Sequence, residues 1–229
     1  MAEGLRPGLQ REGLRFFGSV GAGLSHELSN VFNIINELSG LQQDIAAAAQ
    51  TGGAGIARLS ELAARIKSQV ARGEEINRSL HRLSHSVDEA AEVYDLGEAL
   101  ALFGALAARP ARLAEVELEL RPPADPIALS GDPFALLLAL HACFKALLGA
   151  AESGRRVEVR AESAAGRARV VLASADPVPD LGSDPALASM LDLACAALGA
   201  AARTEPDGRG GGSVILDLGA GGGVGTRDP

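Results

Sequence analysis

Apolar residues recur along the first part of the chain at alternating steps of three and four. They fall at Leu14, Phe17, Leu24, Leu28, Val31, Ile35 and Leu38, with Gly21 filling the step between Phe17 and Leu24. This is the a/d seam of a helix packed into a bundle or coiled coil. A second seam follows at Leu59, Leu62, Ile66, Gln69, Gly73, Ile76, Leu80, Leu83, Val87, Ala90 and Tyr94. Between them lies Thr51-Gly52-Gly53-Ala54-Gly55, a turn of residues that tolerate positive φ. The spacing predicts an antiparallel hairpin of two helices, each roughly 35 to 40 residues and ~50 to 60 Å long at 1.5 Å per residue. One hairpin cannot cover its own seams. A second copy would complete a homodimeric four-helix bundle, and a third helix of the same chain is the other way to cover them.

Past Tyr94 the pattern changes. Asp95 to Ala108 reads as a helix ended by Arg109-Pro110, and Val116 to Leu120 alternates strictly as a strand closed by Pro122-Pro123. Asp132 caps a strongly apolar helix through Ala150, with Pro133 in its first turn. Arg155 to Glu162 and Arg167 to Ser174 form a hairpin around Ala164-Ala165-Gly166. Asp184 caps a helix to Leu198, and Ala200 to Glu205 and Ser213 to Leu218 are two closing strands. The expected fold is therefore an α-helical hairpin followed by an α+β two-layer sandwich with helices on one face of a mixed sheet. The expected divisions are 11–94 for the hairpin, 95–218 for the sandwich and 219–229 for a glycine-rich tail too poor in apolar residues to fold alone.

Composition narrows the function classes. Hydrophobic residues make up 47% of the 229 and aromatics only 3%, so the core is built from Leu, Ala, Val and Ile. A formal net charge of -8 argues against nucleic acid as the main partner. Cys143 and Cys195 both sit in apolar runs and read as core residues. The N-terminus lacks a signal-peptide pattern, and no uninterrupted apolar run reaches the length of a membrane span, so a cytoplasmic location without membrane association is expected.

One candidate for chemistry stands out. With Leu28 at an a position, His26 falls at f, pointing away from the bundle core, and Asn30 lies beside it one turn along. The neighbouring outer positions Ser19, Ala22, Gly23 and Asn33 are small or polar, so a partner can approach the imidazole. Imidazole is uncharged near neutral pH and is a competent nucleophile. The adjacent Glu27 could take the proton of the other ring nitrogen or hold the tautomer. By spacing alone His26 reads first as an ordinary solvated histidine.

The stretch from Leu24 to Ile35, LSHELSNVFNII, resembles the H-box of two-component sensor histidine kinases. The resemblance implies that His26 is the phosphorylated residue and Glu27 its acid/base neighbour. It implies too that Asn30 orients a water for dephosphorylation. Val31 replaces the usual proline, which keeps the helix straighter just after the histidine. The second half resembles the kinases' ATPase domain, with losses. Gly131-Asp132-Pro133-Phe134 opens a helix on which the two metal- and phosphate-holding asparagines of the family fall on His141 and Lys145. Ser174 stands where the family has the adenine-binding Asp, and Asp184 to Ala188 replaces the last glycine box. A lysine ammonium cannot ligate magnesium, and without glycines no backbone nest cradles phosphate. Gly208 to Gly212 lies between two strands and reads as a hairpin turn, not a phosphate loop.

The resemblance therefore implies a histidine phosphotransferase with a degenerate ATPase-like domain. Its expected partners are a second copy and response regulator receiver domains. No cofactor of its own is expected, Mg²⁺ being supplied by the receiver. A histidine autokinase with a divergent ATP site, and a non-enzymatic scaffold or inhibitor docking on a kinase or receiver, are the alternatives. His81 and His85 stand four apart on the second helix, but no Asp, Glu or Cys nearby completes a ligand set, which leaves a solvated face. Arg78 and Arg82 beside them read either as surface residues or as a basic rim for an acidic receiver.

Overall fold

The computed structural model describes residues 2–48, 55–88, 92–152, 154–164 and 167–218. The expected turn at Thr51 to Ala54, Ala90, the turn residues Ala165 and Gly166, and the tail from Gly219 lie outside them. Two compact units emerge, one of residues 19–81 and one of residues 1–18 with 82–229.

The unit 19–81 is built from α1 (Ala2–Ala48) and α2 (Gly55–Asp88). The d positions Leu24, Val31 and Leu38 of α1 are buried, as are Leu62 and Ile76 of α2. The two helices approach closely at Gly73, where an added Cβ would sit 3.4 Å from Val31 Cγ1. The a positions Leu28, Ile35, Ile66 and Leu80 are only half-buried. Beside them at e, Phe32 and Val70 are 61% and 45% exposed. Each helix thus covers one flank of its seam and leaves the a/e flank open.

The first turns of α1 follow a different phase from the one expected. Leu14, placed in the seam by its spacing, is exposed, and Phe16 is buried. The reason is a second packing surface: in the unit of 1–18 with 82–229, this part of α1 lies on α4 and α5. The second seam also ends early. It stops with α2 at Asp88, and Tyr94 belongs to a strand, β1 (Glu92–Asp95). Residues 11–18 and 82–94, expected with the hairpin, accordingly group with the α/β unit.

That unit contains a two-stranded and a five-stranded sheet. β1 pairs antiparallel with β3 (Ala128–Gly131), Tyr94 opposite Leu129. Neither strand is legible in the sequence, because four residues are too few to show alternation. The larger sheet has the order β2-β4-β5-β7-β6, with β2 (Glu117–Arg121), β4 (Arg156–Ala164), β5 (Arg167–Ser174), β6 (Ala201–Pro206) and β7 (Gly212–Asp217). β2 and β4 run parallel, and the other neighbours run antiparallel. Helices α3 (Leu96–Leu113), α4 (Pro133–Ala150) and α5 (Pro185–Leu198) supply the other layer. α3 continues one turn past Pro110, whose fixed φ suits a helix even though its missing N–H leaves one carbonyl unbonded.

Inward residues Val157, Val159, Val170, Leu172, Val214 and Leu216 are fully buried under the helices. The outward face carries a charge ladder across the strands. Arg156 reaches Glu117 at 3.2 Å and Glu119 at 2.8 Å, and Arg121 reaches Glu158 at 2.9 Å. α4 is long and apolar enough to cross a membrane by length and composition. It is the core helix here, with Leu136, Leu138, Leu140, Cys143 and Phe144 fully buried.

Candidate functional site

The unit 19–81 brings together the residues singled out by the helix phase. At 100° per residue, His26 at f stands roughly 140° from the a positions and roughly 160° from the d positions. It is exposed, on neither the flank that packs in the hairpin nor the open apolar flank. Asn30 is exposed beside it, and its Nδ2 lies 3.3 Å from His26 Nδ1. Ser29 donates its hydroxyl back to the Ser25 carbonyl at 3.0 Å, which removes one polar group from competition for the imidazole. Glu27 takes another direction. Its side chain is 12% exposed, and Oε2 lies 3.8 Å from Nη2 of Arg72 on α2. The structure therefore pairs His26 with Asn30 and gives the Glu27 carboxylate a guanidinium.

In the α/β unit, His141, Ser174 and the start of α5 are met by the chain's own side chains. His141 packs against Phe16, ring centroids 4.8 Å apart, and Phe16 also meets Phe134 at 5.6 Å. Burial, reinforced by the nearby Lys145 ammonium, pushes the His141 imidazolium down to about 4, so the ring is neutral at physiological pH. Lys145 itself is exposed. Ser174 is buried, donates to Asp176 Oδ2 at 3.2 Å and accepts from the Asp176 N–H at 3.1 Å. Asp176 is also buried, 3.4 Å from Arg155 Nε.

The start of α5 is closed in the same manner. Asp184 Oδ1 accepts from the N–H groups of Ala186 at 2.9 Å and Leu187 at 3.3 Å. Those amides are what a helix N-terminus would offer a phosphate, and a carboxylate already neutralises them. Sequence spacing missed the Phe16 contact entirely, since Phe16 lies outside the heptad seam. The Asp184 cap was legible in the sequence.

His81 and His85 are exposed on α2. Arg82 donates to the Glu98 carbonyl at 3.0 Å, tying the end of α2 to α3. Among the described residues no group of three His, Cys, Asp or Glu side chains is placed to hold a metal.

No protein-family model matches the chain, and no curated protein sequence does. Solved structures that it resembles include histidine kinases. The catalytic domain of histidine kinase ThkA is 13% identical, with a TM-score of 0.48 over 57% of this chain and 96% of that one. Acinetobacter baumannii histidine kinase AdeS is 14% identical, with a TM-score of 0.46 over 84% of this chain and 98% of that one. Histidine kinase ThkA in complex with response regulator protein TrrA is 14% identical, with a TM-score of 0.47 over 91% of this chain and 63% of that one. At these identities and scores the likeness assigns no activity.

Proposed function

We propose that this chain is a histidine phosphotransferase of a two-component phosphorelay, passing a phosphoryl group between receiver-domain aspartates through His26. The observation that carries the reading is the placement of His26. It is an open imidazole with a polar neighbour, on a face of α1 that neither buries the seam nor presents the apolar flank. A nucleophile that must be reached by a separate folded domain needs this exposure.

The closed α/β unit favours a relay over an autokinase. Asp184 holds the α5 amides, Ser174 and Asp176 satisfy each other, and Phe16 covers His141. Ser174, the first α5 amides and the His141 ring, three of the positions matched to adenine or phosphate contacts, each have a partner within the chain. The phosphoryl donor is then an aspartyl phosphate on a receiver domain, and the receiver brings the Mg²⁺ that neutralises phosphate charge. The open a/e flank of the hairpin, with Phe32 and Val70 exposed, fits a second copy of the chain, which would complete a four-helix bundle and leave His26 outside it. Asn30 then serves beside His26 as its positioning neighbour, while the Glu27 carboxylate, expected as the acid/base neighbour, faces Arg72 on α2.

The test is phosphoryl transfer from a labelled, phosphorylated receiver. Wild type takes the label and His26→Ala does not. Failure of a panel of cognate receivers to label the wild type overturns the proposal. Labelling by γ-labelled ATP and Mg²⁺ with no receiver present assigns an autokinase instead.

A further inference from the structure

The His26 ring is met at Nδ1, 3.3 Å from the Asn30 carboxamide nitrogen. A carboxamide has a donor end and an acceptor end, and a neutral imidazole has one nitrogen of each kind. With the amide nitrogen on Nδ1, that ring nitrogen accepts and the ring proton sits on Nε2. Neither nitrogen then has a free lone pair with which to attack phosphorus. A half-turn of the carboxamide puts Oδ1 in the same place. Water at the exposed ring takes the proton from Nε2 and returns one to Nδ1, which donates it in a hydrogen bond to Oδ1, and the Nε2 lone pair is free on the outer side of the ring. Helix geometry suits Asn30 to this role, because residues four apart face each other and adjacent residues do not. Glu27, the adjacent residue, is directed toward Arg72.

We propose that Asn30 is a two-position selector of the His26 tautomer, resting the ring through its amide nitrogen and freeing Nε2 when the amide turns over. This rests on the reading of His26 as a phosphoryl acceptor and adds the control of its nucleophilicity. In the forward step the Nε2 lone pair forms the N–P bond. The P–O bond to the donor aspartate breaks, and the carboxylate leaves with the electron pair. The ring becomes a phosphoimidazolium that keeps its Nδ1 proton, donated to Asn30 Oδ1, so no proton has to enter or leave. Transfer to the second receiver runs the same step in reverse. Asn30 is a positioning residue, distinct in this from a residue that orients hydrolytic water.

The experiment reads the tautomer directly in the full chain, with ¹⁵N-histidine labelling and long-range ¹H–¹⁵N spectra at a pH of about 9, where an ordinary imidazole is neutral. Wild type shows the proton on Nε2. Asn30→Asp can only accept, and it moves the proton to Nδ1. Asn30→Ala gives an exchange average of the two forms. Identical His26 spectra in all three proteins overturn the proposal. With a phosphorylated receiver, Asn30→Ala lowers the single-turnover rate several-fold at unchanged half-saturation, and Asn30→Asp restores it. An Asn30→Ala rate equal to wild type also overturns the selector. The spectra need no receiver, so a wild-type protein that no receiver labels sinks the relay reading and leaves the tautomer result to stand by itself.

Discussion

His141 offers a quantitative check on the closed α/β unit. Its ring lies against Phe16 and is pushed from the usual histidine range down to about 4, by burial first and the Lys145 charge second. In the unfolded chain the same side chain titrates near 6.5. Between the two values the unfolded state binds a proton that the folded state does not, so stability rises with pH across that window. The contribution is complete above about 6.5, falls away as pH drops toward about 4, and changes no further below that. A displacement of about 2.5 units corresponds to about 3 kcal/mol across the window. The perturbation is His141→Gln, which removes the titrating group. Urea unfolding followed by circular dichroism at closely spaced pH values gives the slope for each protein. The expected result is a shallower slope for the variant between about 4 and 6.5, whatever its absolute stability, because packing losses do not depend on pH. A parallel pair of slopes, or an imidazole C2–H titration placing His141 near 6.5, refutes the burial under Phe16 and the closure of this face.

Other substitutions test separate parts of the structure. Phe16→Ala removes the ring that covers Phe134 and His141, and thermal or urea unfolding should show a loss of about 3 kcal/mol or more. If Phe16 is dispensable, α1 does not dock on α4. Gly104→Ala on α3 would press a Cβ into the Leu120 side chain of β2, which must turn aside or move the helix, with an expected cost of about 1 to 3 kcal/mol by the same assay. Asp184→Ala should cost about 1 kcal/mol by loss of the α5 cap, whereas Asp184→Asn should cost less. Neither variant should gain ATP binding by calorimetry, since no glycine nest accompanies the exposed amides. Tight binding by the alanine form would mean that the cap alone had closed the site.

Much of this protein is legible in its sequence because periodicity is a local property. The heptad steps around Leu24, Val31 and Leu38 give the helix and its phase, and phase alone puts His26 outside. Asp132-Pro133 and Asp184-Pro185 announce two helix starts, since a capping carboxylate and a proline without an N–H suit the first turn. The β-branched and apolar run from Arg167 to Ser174 gives β5 its full length. Where the sequence misleads, a long-range partner is the cause. Tyr94 continues the seam by spacing, yet pairing opposite Leu129 draws it into β1. Leu14 fits the heptad, yet the docking of α1 on Phe134 and His141 turns Phe16 inward and leaves Leu14 in solvent.

The division at the site follows the same physics. The sequence by itself determined that His26 and Asn30 share a helix face, because they stand four apart. Tertiary structure decided what surrounds the rest. Asp184 occupies the α5 amides through a short local bond that spacing suggested. The Glu27 partner on α2 and the Phe16 cover over His141 join segments distant in the chain. Such contacts depend on how whole helices dock, and no window of sequence records that.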